Sequence, residues 1–299
     1  MKEMKLGIVG LDTSHAPAFC KLLNDPANEF NVPGAKVVKA FPGGSQKFSL
    51  SRNRVGQYTA DLKAAGIEIV DSIAQLDGLD GIFLESCDGD QHLEQFAEVA
   101  KLGVPVFIDK PLACNYDEAR KIVELAHEKK VPMMTASSIR YAKGIEGCLP
   151  ADAKVFACEA MGPMAFLEDY RDYFWYGIHS AELLFSFMGA GCQKVQAFST
   201  DIVDAVVGIW EDGRIGKLAG NRVGANNFAC SLTTDKGHIL AMVDTSVPFY
   251  AMLLRKVIPF FQTCEPAIPN EESLQIIAFL EAVSRSRAAG GAMIDVTKF

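Results

Sequence analysis

Short apolar runs alternate with amphipathic segments along the first 138 residues. Six runs have the length and composition of β-strands, at 4–10, 35–41, 67–70, 79–84, 104–108 and 131–137. Three segments between them carry apolar positions at helical spacing, at 15–24, 91–102 and 115–130, and Asn115 is a favourable N-cap for the last. Strands joined by such helices need right-handed crossovers, which produce a parallel sheet covered on both faces. This part is predicted to be an α/β domain that binds ligand at the carboxyl ends of its strands.

The pattern changes near residue 140. One helical segment, 177–188, is followed by alternating runs with no helices between them, at 194–199, 204–210, 214–219, 228–233 and 238–242. Glu211-Asp212-Gly213 is a hairpin turn signal between two of these runs. Helical spacing returns at 249–261 and 271–289. We therefore predict a second, α+β domain with an open, mainly antiparallel sheet, and divide the chain into 1–138 and 139–299.

Charge and cysteine usage limit the kinds of partner that this chain is expected to have. It carries 29 Lys and Arg against 37 Asp and Glu, a formal net charge of −8, so neither nucleic acid nor an anionic membrane is an expected partner. No apolar run approaches the roughly 20 residues that span a bilayer, and the N-terminus lacks the features of a secretion signal, so a cytoplasmic location is expected. None of the eight cysteines lies in a C-x-x-C pair, and we expect buried thiols and no metal site.

The first turn of the α/β domain falls where a dinucleotide fingerprint, G-x-G-x-x-G, would begin. Gly10 fits the first glycine, while Asp12 and His15 occupy the second and third glycine positions. Asp12 or Thr13 could instead serve only as a cap of the following helix. The candidate cofactor-binding residues of this turn are Gly10, Leu11, Asp12, Thr13, Ser14 and His15.

The segment after the second strand distinguishes between the two nicotinamide dinucleotides. NAD-binding domains place Asp or Glu at this strand end to bond the ribose hydroxyls. Here no Asp or Glu occurs between Glu29 and Asp61, and basic residues follow the strand instead. Ser45, Lys47 and Arg52 could hold a 2′-phosphate, which favours NADP over NAD. The alternative is a solvated basic loop with no ligand.

Two further motifs carry candidate acid–base groups. Asp109-Lys110-Pro111 follows the fifth strand and brings a lysine to the ligand edge, where a cationic nicotinamide ring would lower its pKa and favour proton transfer. On the helix 177–188, His179 and Glu182 share one face, and histidine is a usable acid or base at neutral pH. The alternatives are an exposed lysine at a turn and a packed histidine bonded to Glu182.

Taken in order along the chain, these motifs resemble the Gfo/Idh/MocA family of NAD(P)-dependent oxidoreductases. Asp109-Lys110-Pro111 resembles the family's Glu-Lys-Pro motif, and Gly177-x-His179-x-x-Glu182 resembles its Gly-x-His-x-x-Asp motif. The strand 82–84 followed by His92, the strand pair 204–219 and the segment 269–296 are also similar to the family's pattern. The resemblance implies a Rossmann-type N-terminal domain, NADP or NAD as cofactor, and sugars, polyols or sugar derivatives as substrates.

The resemblance also implies roles for particular residues. Lys110 and His179 would be the proton-transfer groups as hydride passes to or from the substrate, and Asp109 and Lys110 would also contact the cofactor. The neighbours expected by position to bind substrate are Lys110, Arg140, Tyr141, Arg171, Asp172, Tyr173, Trp175, His179 and Glu182. A homo-dimer or homo-tetramer is expected, because an open antiparallel sheet leaves a face to cover.

Two other functions are compatible with the same fold. One is a lyase or glycosidase-like enzyme that holds NAD tightly and oxidises its substrate only transiently. The other is a non-catalytic sugar- or phosphate-binding or regulatory protein. The residues that favour this second alternative are Asp12, His15 and Trp175, which stand where the family has other residues.

Overall fold

The computed structural model describes residues 3–224 and 226–296 of the 299-residue chain. The chain forms two compact units. The first combines the chain up to Ala136 with Tyr250–Asn270, and the second combines Ser137–Phe249 with the chain from Glu271 onward. The break between Ala136 and Ser137 lies two residues before the predicted boundary.

The first unit is built on a parallel sheet. Its strands are β1 (Met4–Val9), β2 (Ala35–Phe41), β3 (Glu68–Ile69), β4 (Gly81–Leu84), β5 (Val106–Ile108) and β6 (Met133–Thr135). They are ordered β3-β2-β1-β4-β5-β6, and each neighbouring pair is parallel. This is the strand order of a Rossmann fold, with its topological switch point between β1 and β4. The predicted parallel α/β architecture is therefore confirmed.

The predicted helices of the first unit are present, and one further helix was missed. The four helices between strands are α1 (His15–Asn24), α2 (Ser49–Ala64), α3 (His92–Val99) and α4 (Tyr116–Lys129). Asn115 caps α4 as predicted, since its side chain accepts a hydrogen bond from the backbone N–H of Glu118. The missed helix is α2, which buries only Ser51 and Leu62. A helix that is polar nearly all round shows no apolar periodicity to detect.

The second unit contains a seven-stranded sheet. Its strands are β7 (Val155–Pro163), β8 (Cys192–Ser199), β9 (Val203–Trp210), β10 (Ile215–Asn221), β11 (Ala229–Thr234), β12 (Gly237–Met242) and β13 (Ile294–Asp295). They are ordered β12-β11-β7-β10-β9-β8-β13, and every pair is antiparallel except β7 with β10. The open, mainly antiparallel sheet is confirmed, and the hairpin joining β9 to β10 turns at Gly213 as predicted.

β7 was not predicted, although it is a central strand. It pairs with β10 on one side and β11 on the other, and it carries apolar side chains such as Ala157 and Met161 on its outward face as well. With both faces apolar, the period-two alternation that reveals a half-buried strand is weak.

Helices cover one face of this sheet. They are α5 (Asp172–Trp175), α6 (Gly177–Met188) and α8 (Asn270–Ala288), of which α6 matches its prediction at both ends. The ring of Phe185 on α6 lies 5.5 Å from Trp210 and 5.5 Å from Phe279 on α8. The indole of Trp210 lies over Gly216, where an added Cβ would come within 2.6 Å of its ring. Aromatic packing of this kind holds the helical layer on the sheet.

The remaining helix corrects the predicted domain division. Helix α7 (Phe249–Thr263) was assigned to the second domain, but its segment belongs to the first unit. Its Phe261 ring meets the Phe83 ring of β4 edge-to-face at 5.1 Å, and a Cβ at Gly81 would come within 2.8 Å of Phe261. The apolar side of α7 completes the cover of the first sheet. Within the described ranges, none of the helices has the length and hydropathy to cross a membrane.

Candidate functional site

The carboxyl ends of β1 and β4 meet at the switch point of the first sheet. Gly10 follows β1 with φ of +94°, and a Cβ on it would overlap the backbone nitrogen of Ser86 after β4. The backbone N–H groups of Gly10 and Leu11 donate to the carbonyl oxygens of Phe41 and Pro42, at 3.0 and 2.7 Å. Gly10 therefore has the tight-turn role of the first fingerprint glycine.

Asp12, at the second fingerprint position, faces the interior. Its Oδ1 accepts from the backbone N–H of Cys87 at 3.0 Å, and its Oδ2 accepts from the hydroxyl of Ser51 at 2.6 Å. The Ser51 oxygen in turn accepts from the N–H of Ser45 at 2.7 Å. The carboxylate thus joins three loops of the ligand edge. It does not cap α1, whose N-cap is Ser14.

The three candidate residues of the basic segment after β2 comprise one buried and two exposed residues, and the guanidinium of Arg52 also donates to the carbonyl oxygen of Gln46. Ser45 is buried, and its hydroxyl oxygen accepts from the N–H groups of Lys47 and Phe48 at 3.2 and 3.3 Å. Its hydroxyl therefore shapes the entry into α2. Lys47 and Arg52 are exposed to solvent. The side chains of Lys47 and Arg52 are therefore accessible from solvent, whereas that of Ser45 is not.

His15, Glu85 and Asp109 form a buried ionisable cluster at the same edge. The Nδ1 of His15 lies 3.0 Å from Asp109 Oδ2 and 3.5 Å from Glu85 Oε2. The three residues are 5%, 0% and 1% exposed. Glu85 was missed by the sequence reasoning. The available signal was an acidic residue directly after the buried strand β4, where an apolar or small residue would be the ordinary choice.

The members of this cluster shift one another's pKa. Burial would lower the pKa of His15, but Asp109 and Glu85 together raise it to about 9. Burial and the negative charge of Asp109 raise the pKa of Glu85 to about 7. Burial works against ionisation of Asp109, but the positive charges of His15 and Lys110 hold its pKa below the usual range. The positive charge that the two carboxylates favour is therefore carried by His15 itself at neutral pH.

Lys110 follows this cluster at the end of β5. It is largely buried, and it precedes Pro111 through a cis peptide bond. His92 joins the loop after β5 to the loop after β4. Its Nδ1 lies 3.1 Å from the carbonyl oxygen of Leu112, and its Nε2 lies 2.8 Å from that of Ser86. Lys110 is therefore not the exposed turn lysine of the alternative interpretation.

In the second unit, His179 contacts Ser137 rather than Glu182. Its Nδ1 lies 2.7 Å from the Ser137 hydroxyl oxygen, and its ring is partly exposed. The aromatic rings of Tyr176 and Phe228 lie 5.8 and 5.6 Å from the imidazole. The expected alternative, a histidine bonded to Glu182, is wrong. These contacts hold the imidazole in a defined orientation while leaving part of it accessible.

Glu182 instead belongs to a buried ion-pair network, the Arg140 triad. Arg140 Nε donates to Glu182 Oε2 at 2.8 Å, and Arg140 Nη2 donates to Glu272 Oε1 at 2.7 Å. The side chains of Arg140 and Glu182 are less than one-tenth exposed. Burial raises the pKa of Glu182, and Arg140 opposes that rise. Two of the predicted substrate-binding residues are thus paired with each other.

The other predicted substrate residues differ in accessibility. Tyr173 is fully buried, and its hydroxyl donates to Asp204 at 3.3 Å. Asp172 accepts from Arg287 at 2.7 Å, and Tyr141 is buried. Arg171 is exposed and Trp175 partly so, with its ring 5.5 Å from that of Tyr170. Arg171 is therefore the exposed member of this set, and Asp172 and Trp175 are partly exposed.

A Rossmann sheet with a glycine turn at its switch point and a buried Asp-Lys-Pro step defines a nucleotide-binding class of protein. Residues 4–137 match the family described as an oxidoreductase family with an NAD-binding Rossmann fold. This part of the chain is therefore similar to the Gfo/Idh/MocA oxidoreductases, as the ordered motifs predicted.

Individual proteins agree with this assignment. YceM of Salmonella typhimurium strain LT2, an oxidoreductase by name, is 30% identical over 143 residues, which are 48% of this chain and 41% of YceM. The chain thus matches about two-fifths of the length of that relative.

Solved structures with the same fold as the whole chain include the following two. GenD2 from gentamicin A biosynthesis, in complex with NAD, has 16% identity and a TM-score of 0.79, covering 100% of this chain and 97% of GenD2. The myo-inositol dehydrogenase of Lactobacillus casei, in complex with NAD(H) and myo-inositol, has 13% identity and a TM-score of 0.78, covering 100% and 98%.

Proposed function

We propose that this protein is an NAD(P)-dependent oxidoreductase that transfers hydride to or from a sugar, a polyol or a sugar derivative. The observation that carries the proposal is the match of residues 4–137 to NAD-binding oxidoreductases, together with a buried Lys110 at the carboxyl end of β5. The crystallised proteins of the same fold include a dehydrogenase with bound myo-inositol, which supports the polyol class.

The residues of the first turn fit a dinucleotide in spite of the missing glycines. Asp12 directs both carboxylate oxygens inward, so it does not present them to a pyrophosphate. Ser14 is exposed at the start of α1 and makes no side-chain cap within the described chain, which leaves this helix end available to a phosphate. The bound dinucleotide would accept or donate hydride at its nicotinamide ring.

Lys110 and His179 are proposed as the proton-transfer groups. A positioned acid or base of this kind supplies typically about 10²–10⁴-fold in rate. Lys110 is flanked by Asp109 in the buried cluster, and His179 is oriented by its contact with Ser137. Arg171 and Trp175 are proposed to contact substrate hydroxyls, and Tyr141, Asp172 and Tyr173 to shape the surrounding backbone.

The proposed cofactor preference makes a direct prediction. Titration with NADPH and NADH, followed by nicotinamide fluorescence, should show micromolar binding with NADPH the tighter. Lys47→Ser and Arg52→Ser should each weaken NADPH binding about 10- to 100-fold, because a charge-assisted phosphate contact contributes roughly 1.5–3 kcal/mol, and should change NADH binding little. Lys63→Ser, near the other end of α2, is the matched control and should bind as the wild type does.

The other outcomes separate the alternative functions. Cofactor that remains bound through purification, with turnover but no net oxidation, would favour the lyase or glycosidase-like reaction. Failure of folded protein to bind either dinucleotide would contradict the proposal and favour the non-catalytic role. Equal affinity for both would leave the fold assignment standing and overturn the basic-segment interpretation.

We propose that the open face of the second sheet is buried against another copy of the chain in a homo-dimer or a higher homo-oligomer. Leu240 is 83% exposed, and Phe198 and Ile215 are exposed on the same sheet. Light scattering should report a multiple of the 32.4 kDa chain mass. Leu240→Asp should shift the protein towards the monomer, since a carboxylate in an apolar interface is costly to bury. Ala60→Asp on the exposed side of α2 is the control, and a wild-type monomer would overturn the proposal.

A further inference from the structure

The His15–Glu85–Asp109 cluster combines the donor atoms of a metal site. His15 begins α1 just beyond β1, Glu85 directly follows β4, and Asp109 directly follows β5. Three parallel strands thus bring one imidazole and two carboxylates to the switch point. One potential ligand atom from each residue lies within 4.8 Å of the other two, and all three residues are buried.

Several atoms of this cluster have unused hydrogen-bonding capacity. Among the described residues, neither Glu85 oxygen nor Asp109 Oδ1 has a hydrogen-bond partner, and His15 Nδ1 lacks an aligned one. A buried carboxylate left in this state costs about 1–3 kcal/mol for each unsatisfied group. Asp12 is also buried at this edge, yet both of its oxygens accept hydrogen bonds. Other buried polar atoms without an aligned partner lie elsewhere in the described residues, but here four such atoms, from three ionisable side chains, lie together.

The spacing of these atoms fits ligands that share one ion. Zinc lies about 2.0–2.2 Å from imidazole nitrogen and carboxylate oxygen, which places adjacent ligand atoms roughly 3–3.5 Å apart. The His15 Nδ1 distances to Asp109 and Glu85, 3.0 and 3.5 Å, fall in that range. The imidazole of His15, whose pKa is raised to about 9, carries a proton at neutral pH, and zinc must displace that proton to bind. Either carboxylate can then supply a second oxygen.

We propose that His15, Glu85 and Asp109 supply three protein ligands to a zinc ion at the carboxyl edge of the first sheet. The mixed nitrogen and oxygen donor set suits zinc, whereas Mg²⁺ prefers all-oxygen sites in which it retains several waters. The site joins the ends of β1, β4 and β5.

The direct test is metal analysis of the full chain. After chelator treatment and dialysis, calorimetric titration with ZnCl₂ should show one high-affinity site per chain. Glu85→Gln and Asp109→Asn preserve side-chain shape and should weaken zinc binding at least about 100-fold, more than loss of an outer-shell partner costs. Asp88→Asn is the matched control, because Asp88 is a buried acid of the same loop whose Oδ1 accepts from Asp90 N–H, and it should bind zinc as the wild type does.

Two further measurements distinguish the proposed site from zinc binding by cysteine thiols and from misfolding of a variant. X-ray absorption at the zinc edge should show only nitrogen and oxygen ligands near 2.0 Å, with no sulfur near 2.3 Å. Zinc should raise the thermal midpoint of the wild type and of Asp88→Asn but not that of Glu85→Gln. A zinc–sulfur shell, an unchanged affinity in both cluster variants, or no zinc binding by folded wild type would each overturn the proposal and assign the unused oxygens to bound water.

Discussion

Replacement of Lys110 by methionine should lower kcat by about 10²–10⁴-fold on any substrate found in a screen of sugars and polyols. Methionine approximates the length of the lysine stem and fits a largely buried position, so the fold should be preserved while the proton-transfer group is removed. Steady-state kinetics of the wild type and the variant at saturating cofactor measure the effect. Dinucleotide binding should change far less than kcat.

Lys110→Arg separates proton transfer from electrostatics. Arginine keeps the positive charge but does not release its proton at accessible pH, so the variant should retain ground-state binding and still have the lowered kcat. Lys129→Met, on the exposed side of α4, is the control for loss of one lysine. Full turnover of Lys110→Met would contradict the catalytic assignment. If His179→Gln also kept full turnover, neither proposed group would take part in the reaction.

Arg140→Met should destabilise the second unit by about 3–5 kcal/mol, because it leaves Glu182 and Glu272 without their partner. Removing one member of a buried ion-pair network leaves the other charges uncompensated in the low-dielectric protein interior. Chemical denaturation followed by tryptophan fluorescence reports on this unit, since Trp175 and Trp210 both belong to it.

The matched comparison is a solvent-exposed ion pair in the first unit. Arg120 on α4 contacts Glu124, and both side chains are largely exposed. Arg120→Met should therefore cost less than about 1 kcal/mol. Changing Arg140, Glu182 and Glu272 together to apolar residues of similar volume should recover much of the loss, because all the buried charges are then removed. A cost for Arg140→Met as small as that for Arg120→Met would show that water reaches the triad.

Local patterns were sufficient where one face of an element is apolar and its ends carry specific signals. Helix α4 has both an amphipathic face and the Asn115 cap, and it was predicted within one residue at each end. Helix α2 has neither, and it was missed because it buries only Ser51 and Leu62 and so shows no apolar periodicity. The motif containing Lys110 was recognisable because its residues are consecutive in the chain.

At the candidate sites, in contrast, local patterns did not predict which residues contact each other. Asp12 was interpreted from its position in a fingerprint, but its actual partners, Ser51 and Cys87, are 39 and 75 residues away. Likewise, Glu182 shares a helix face with His179 but pairs with Arg140, 42 residues away. Periodicity along one element indicates which side chains share a face, and it carries no information about the residue that meets that face.

Local spacing and neighbouring residues were enough to predict the alternation of strands and helices, the parallel and antiparallel halves, and the order of the family motifs. The tertiary structure, in contrast, was needed to place α7 on the first sheet and β7 between β10 and β11. It also decided that His15, Glu85 and Asp109 converge on one point. Each of these depends on contacts between segments distant in sequence, where burial and charge pairing act, and no local pattern records them.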